Sequence, residues 1–178
     1  MVTLNQRWGA GSAGPFRDGK ASTWEGAYRV PGIASWPGRI KPRVSSEIAS
    51  MPDLLNTSIG LAGAALPEGV PLDGADMAPV LFDVGPSQRE VQHYYHGDQL
   101  QALRKGAFKS HFVTNTGYGN PPYGDEPEAR HDPPLLFNLN QDPGEQYNVA
   151  GEYPEVVAEL TRLFQDHLAI VTPGKKQF

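Results

Sequence analysis

Cysteine is missing from all 178 positions. Disulfides, thiolate metal sites and a cysteine nucleophile are therefore excluded in this chain. Positive charge is also short: 15 Lys and Arg stand against 20 Asp and Glu, a formal net charge of −5. A surface that neutralises nucleic-acid phosphates needs the opposite balance, so no nucleic-acid partner is expected. No apolar run approaches the ~20 residues of a membrane-spanning helix, so no membrane partner is expected either. The opening MVTLNQRWGAGS lacks the apolar segment of a signal peptide. Internal repeats and low-complexity tracts are absent as well.

Glycine and proline are plentiful, at 20 and 17, and cut the chain into short elements. The length allows one good core or two small ones. Residues 1–27 read as loop, and the β-branched and aromatic content of Tyr28–Trp36 predicts a strand with an irregular start at Pro31-Gly32. Ser50, Pro52 and Asp53 predict the start of a helix that ends before Gly63, with Leu54, Leu55, Ile59 and Ala62 at helical spacing. A meander comes next at Val91–Tyr95, Gln99–Arg104 and Ala107–Thr114, the last two joined by a tight turn at Lys105-Gly106. Asn115–Asp132 reads as a polar loop, Leu135–Leu139 as a strand, and Asp142-Pro143-Gly144 as a turn. The last element is an amphipathic helix over 154–171, with Val156, Leu160, Leu163, Phe164 and Leu168 in one stripe. A boundary is expected near residues 83–90.

The stretch that promises chemistry is GPFRDGKASTWEGAYRVP, from Gly14 to Pro31. It has neither a helical nor a strand period. Glycines let the backbone approach a ligand closely. Lys20 offers three donors and a positive charge, which suit an oxyanion. Glu25 and Arg29, four apart, are placed to clamp the loop to the strand predicted after it. A surface loop with a solvated charge cluster is the plainer alternative on composition alone.

This stretch resembles a signature of the type I sulfatases, in which G-K-x-[ST]-[ST]-[WYF]-E-G-G-x-R-x-P recurs. The likeness continues in register through ASWPGRI, ASMPDLLNTSIGLAGAALP, LDGADMAPVLF, HYYHGDQLQALRKGAFKSHFVT and PPLLFNLNQDPGEQYNVA. It points to the branch holding arylsulfatase A and N-acetylgalactosamine-6-sulfatase. One departure is Ala27, where the signature has glycine; were that position to need a positive φ, Ala27 would be strained.

The resemblance implies an α/β, alkaline-phosphatase-like sulfatase fold, with this chain as its C-terminal portion. Residues 1–85 would be the tail of the large domain, carrying the lysine loop, a strand and a helix. Residues 86–178 would be the C-terminal subdomain, a small antiparallel sheet packed on the helix at 154–171. The implied activity is sulfuric ester hydrolysis by a formylglycine, made from Cys or Ser in [CS]-x-P-x-R, with calcium held by carboxylates and an amide. On this reading neither cofactor belongs to the chain, since Cys is absent and the metal-binding Asp-Asn pair would fall before Met1. The expected function is that of a sulfatase C-terminal fragment that contributes a sulfate-binding lysine and is inactive without the N-terminal part. That part and a sulfate ester would be its partners, and unpartnered apolar surfaces would favour self-association. The alternative is a free-standing, non-catalytic module that binds a sulfated glycan or a partner protein. The parent would be a periplasmic or secreted bacterial enzyme.

Two residues carry over from the family. Lys20 matches the lysine that contacts the substrate sulfate, a catalytic role by electrostatic stabilisation. His131, in A-R-H-D-P-P-L-L-F, aligns with a histidine near the arylsulfatase A active site; a loop histidine beside a strand is the other reading. Ser35-Trp36-Pro37-Gly38-Arg39 matches S-x-P-x-R, but that motif should open a helix and run into L-T-G-R, whereas IKPRVSS stands there instead. His93, His96, His111 and His167 do not form a metal set and read as structural or exposed. Asp73 and Asp76 read as turn formers. The sequon Asn56-Thr57-Ser58 falls inside a predicted helix and is discounted.

Overall fold

The computed structural model describes residues 12–70, 72–115, 128–172 and 174. The start of the expected opening loop (1–11) and the middle of the loop expected at 115–132 lie outside the described residues. The chain divides into two compact units, Met1–Val30 with His93–Phe178, and Pro31–Gln92.

The first unit is built on a meander. Strands β1 (Val91–His96), β2 (Gln99–Lys105), β3 (Phe108–Thr114) and β4 (Ala129–Asn138) lie side by side in chain order. Gly97 (φ 60°) and Gly106 (φ 57°) take the left-handed backbone that the two tight hairpin turns require. β2 pairs antiparallel with β3 in the register Ala102↔His111 and Lys105↔Phe108. β3 pairs antiparallel with β4 through Ser110↔Leu136, with a bulge between His111 and Val113. The fourth strand starts six residues before the expected Leu135. Ala129 and Arg130 pair with Thr114 and Val113, so a segment whose polarity reads as loop is held by ladder bonds to β3.

Side chains alternate across the sheet, so neighbours on β4 serve different layers. Leu136 faces the helix α4 (Pro154–Ile170), where it joins Leu160 and Ala150 with Val156, Val157 and Leu163 around them. Phe112 stacks on Phe164 of that helix at 3.9 Å. Leu135 and Phe137 pack instead against Trp24 of the opening stretch, together with Leu139. α4 ends within one residue of its expected limit. Pro154 sits in its first turn, where a missing N–H costs nothing.

The opening stretch closes as a loop that ends in one helical turn, α1 (Glu25–Tyr28). The predicted strand Tyr28–Trp36 is not formed. Tyr28 closes α1 and residues 29–36 carry no ladder. A strand exists only by pairing, Pro31 removes a donor, and among the described residues no strand stands beside this segment.

The second unit carries α2 (Asp53–Leu61) and α3 (Ala78–Leu81). Asp53 accepts the Ser50 N–H at 2.7 Å, the returning half of the expected capping box. It also accepts the Ala75 N–H at 2.8 Å and both forks of the Arg89 guanidinium. Burial opposes ionisation of Asp53, but Arg89 and the two N–H groups hold its carboxyl below the usual value. Thr57, one turn on, donates to the Asp53 carbonyl at 2.7 Å and accepts the Met77 N–H at 2.9 Å. The buried side of α2 is thus Asp53 and Thr57, while Leu54 and Leu55 are 47% and 53% exposed.

Candidate functional site

Lys20 is exposed and sits on a loop whose closure is fixed by backbone bonds. The Gly26 N–H donates to the Arg17 carbonyl at 2.8 Å. A Cβ at Gly26 would stand 2.4 Å from the carbonyl oxygens of Arg17 and Asp18, so the glycine of the E-G pair is required by close approach. Ser22 ties the bend, its hydroxyl donating to the Gly19 carbonyl at 3.0 Å. Two residues around Lys20 adopt left-handed backbone, Asp18 at φ 60° and Ala21 at φ 73°. For an alanine this conformation costs of order 1 kcal/mol and persists only where the surroundings impose it. The strain expected at Ala27 is instead at Ala21. Ala27 lies in α1 and donates its N–H to the Trp24 carbonyl at 3.0 Å.

Beneath the loop lies a buried charged cluster. Lys109 of β3 is fully buried, and its ammonium has three acceptors: the Thr23 carbonyl at 2.8 Å, Glu25 Oε1 at 3.0 Å and Glu145 Oε1 at 3.1 Å. Tyr94 donates its hydroxyl to Glu25 Oε1 at 2.8 Å, and Arg104 lies 3.5 Å from Glu25 Oε2. Burial and the Glu25 charge push the Tyr94 phenol well above its ordinary value, which keeps it a donor. Glu145 accepts the Glu25 N–H at 2.7 Å on one oxygen and meets His111 Nε2 at 2.7 Å on the other. Burial opposes the charge on Glu145, yet the bond to His111 and the Lys109 charge hold it below the usual carboxylate range. Burial pushes His111 down to about 4. The imidazole is therefore neutral at pH 7 and donates from Nε2 to the carboxylate. Its other nitrogen is buried without a partner. The ring lies 4.2 Å from Trp24, which carries the Arg17 guanidinium over its face at 3.6 Å.

Glu25 is thus an anchor. Glu25 and Arg29 do meet, at 4.0 Å, but Arg29 is the residue that follows α1, and the strand to which the pair would clamp the loop is not formed. Nothing in the spacing of the sequence singles out Lys109, His111 and Glu145. The only signal is a lysine and a histidine two apart in a strand whose neighbours alternate.

His131 lies on β4, with its Nε2 2.9 Å from the Thr114 hydroxyl. Burial lowers its pKa. Asn115, next along β3, donates to the Ala21 carbonyl at 3.5 Å. The end of β3 therefore touches both the residue after Lys20 and His131. Ser35-Arg39 makes an exposed turn, with the Arg39 and Ile40 N–H groups on the Trp36 carbonyl, and opens no helix. Among the described residues no three His, Asp or Glu side chains stand together as metal ligands. The buried carboxylates Glu25, Glu145 and Asp53 already face Lys109, Arg104 and Arg89. This chain's described residues fit neither the calcium nor the formylglycine that the resemblance implies.

A family model described as the C-terminal region of aryl-sulfatase matches residues 87–178, and the Sulfatase model matches residues 6–64. Human arylsulfatase A is 42% identical over 169 residues, covering 86% of this chain and 33% of the relative. The N-acetylgalactosamine-6-sulfatase of Canis lupus familiaris is 37% identical and covers 94% of this chain and 35% of the relative. The crystal structure of PsFucS1 sulfatase from Pseudoalteromonas sp. superposes with a TM-score of 0.78 at 32% identity, over 87% of this chain and 32% of that one. The chain spans about a third of the length of the curated relatives it matches.

Proposed function

Because the chain belongs to the sulfatase family, we propose that it completes a sulfatase active site by presenting Lys20 to the sulfate group of the substrate. The observation that carries this reading is an exposed lysine on a loop whose flanks are fixed by a buried network and whose backbone is strained on both sides of the lysine. Strain of this kind is maintained where geometry matters to function. An ammonium held in place stabilises charge on the sulfuryl oxygens without having to reorganise as the ester bond breaks.

His131 would be a second contact. As a neutral imidazole with Nε2 engaged by Thr114, it keeps Nδ1 for a ligand oxygen. The nucleophile and the metal ligands would come from an N-terminal sulfatase part, which makes that part the partner of this chain. Residues 1–85 would be the tail of the large domain, which that part completes.

The test assembles the enzyme from this chain and an N-terminal sulfatase portion bearing formylglycine and calcium, and monitors aryl sulfate hydrolysis. Neither part alone should turn over substrate. Lys20→Ala should lower kcat/KM by about 10²-fold, the scale of losing one preorganised contact to developing negative charge. Unchanged turnover in that variant would remove Lys20 from the site.

A further inference from the structure

The turn after β4 does more than reverse the chain. Asp142 accepts the N–H groups of Gln146 and Tyr147 at 2.6 and 2.8 Å, which fixes the turn. Gly144 meets the opening stretch directly, for a Cβ there would stand 3.0 Å from the Pro15 carbonyl oxygen. Glu145, the next residue, is fully buried and adopts a left-handed backbone at φ 51°. Its carbonyl accepts Arg17 Nη1 at 2.9 Å, and its carboxylate accepts the Glu25 N–H at 2.7 Å. Arg17 precedes Lys20 by three residues and Glu25 stands five beyond it. One residue therefore grips the lysine loop by both ends, while the Gly26 to Arg17 bond closes the loop at its neck.

We propose that Glu145 is the positioning residue of the Lys20 loop, setting from the turn after β4 where the lysine ammonium stands. The proposal rests on the reading of Lys20 as a sulfate contact, but the grip itself does not. Both functional groups of Glu145 are used, the carbonyl by Arg17 and the carboxylate by Glu25, and the second oxygen is pinned by Lys109 and His111. A residue that only filled space would not need its backbone held at positive φ together with four specific polar partners. Trp24 lies under Arg17, and the Glu25 N–H reaches Glu145.

Amide hydrogen exchange on the full chain tests the grip without any activity. Glu145→Gln keeps the shape and weakens the bond to the Glu25 N–H. Exchange at Glu25 and Gly26 should accelerate roughly 10- to 100-fold, the scale of a charge-assisted hydrogen bond, with much smaller changes at Leu103 and Ser110 in the sheet. Because this variant also disturbs Lys109, Arg17→Ala is measured beside it. That substitution releases the Glu145 carbonyl and uncovers the outer face of Trp24 while leaving the Glu145 carboxylate on the Glu25 N–H, and should free the same amides while the sheet keeps its protection. Wild-type protection of the loop in Arg17→Ala, or loss of loop and sheet together there, overturns the proposal whatever Glu145→Gln does. In the assembled enzyme, Glu145→Gln should lower kcat with KM little changed, and Glu145→Asp should restore part of the loss. If Lys20→Ala is without effect while both variants free the loop, the reading of Lys20 fails and the grip stands.

Discussion

The two compact units bury opposite kinds of side chain. In the unit holding the sheet, Leu100, Leu103, Leu136, Phe137, Leu160 and Phe164 are inside, and the ions that join them are paired with opposite charges. In the unit Pro31–Gln92, the fully enclosed groups are Asp53 and Thr57, with Val80 the one buried apolar side chain among the described residues. Ile33 and Val44 there are each 97% exposed. A unit with apolar groups inside and neutralised ions at one locus carries its own stabilising area. A unit whose helix turns a carboxylate inward and leaves its leucines half exposed is organised by hydrogen bonds.

The sharpest way to break the contrast is Lys109→Met. The change keeps the volume and leaves Glu25 and Glu145 facing each other without their shared cation. Removing one member of a buried ionic group costs about 3–5 kcal/mol. Urea unfolding, monitored at sheet residues, should show this loss in the first unit. The signals of α2 should respond only if the two units unfold together. A cost below about 1 kcal/mol would mean that water reaches the cluster and that it is not the interior of a closed unit.

Sequence reading recovered the helix α2 of the second unit and the sheet and last helix of the first, and missed the first half of β4 and the absence of a strand at 28–36. The four strands and the last helix are legible because their periods of two and near 3.6 are imposed by burial on one face at a time. β3 shows where this ends. Lys109 and His111 occupy inward positions that alternation marks, but the pattern cannot tell a solvated face from one lined with counter-ions. The partners Glu25 and Glu145 lie 84 and 34 residues away from Lys109 and His111. The segment 28–36 misled because β-branched and aromatic content measures fitness for a sheet, and the neighbouring strand is absent from the described residues. The role proposed for Lys20 rests on resemblance, since an exposed lysine on a polar loop has no distinguishing local physics. What the structure adds is the strain at Asp18 and Ala21.

Acid should separate the units next. His111 is held at about 4, against 6.5 when free. Its folded pKa is depressed, so the unfolded chain takes up the proton first. The stability contributed by the neutral ring is complete above pH 6.5 and declines as pH falls toward 4. At about 1.4 kcal/mol per pKa unit the loss approaches roughly 3 kcal/mol. Glu145, whose pKa is lowered from 4.5, extends the decline further into acid. In the second unit Asp53 is lowered from 3.8, so its contribution is lost only below that value. Hydrogen exchange at pH 5 should therefore open sheet amides while α2 keeps its protection. His111→Gln should flatten the dependence between pH 6.5 and 4. Equal slopes in that variant and in the wild type would assign the acid response to other groups.

The smallest expected effect tests the open unit most directly. Leu160 and Leu54 are the same side chain in helices of the two units, one buried at 1% exposure and the other exposed at 47%. Leu160→Ala removes packing against Leu136 and Ala150 and should cost about 2–5 kcal/mol. Leu54 is about half exposed, so Leu54→Ser gives up little packing and should cost no more than about 1 kcal/mol. Its consequence should appear in association instead. Leu54 and Leu55 lie on the apolar side of α2, and exposed area of this kind drives chains together. Sedimentation of the wild-type chain should show self-association that weakens in Leu54→Ser with Leu55→Ser, and the same pair should impair assembly with the N-terminal sulfatase part. A loss above about 2 kcal/mol from Leu54→Ser, in a chain that sediments as a monomer, would mean that α2 already packs on an apolar surface in solution. The second unit would then be closed, and the comparison between the two would fail at its base.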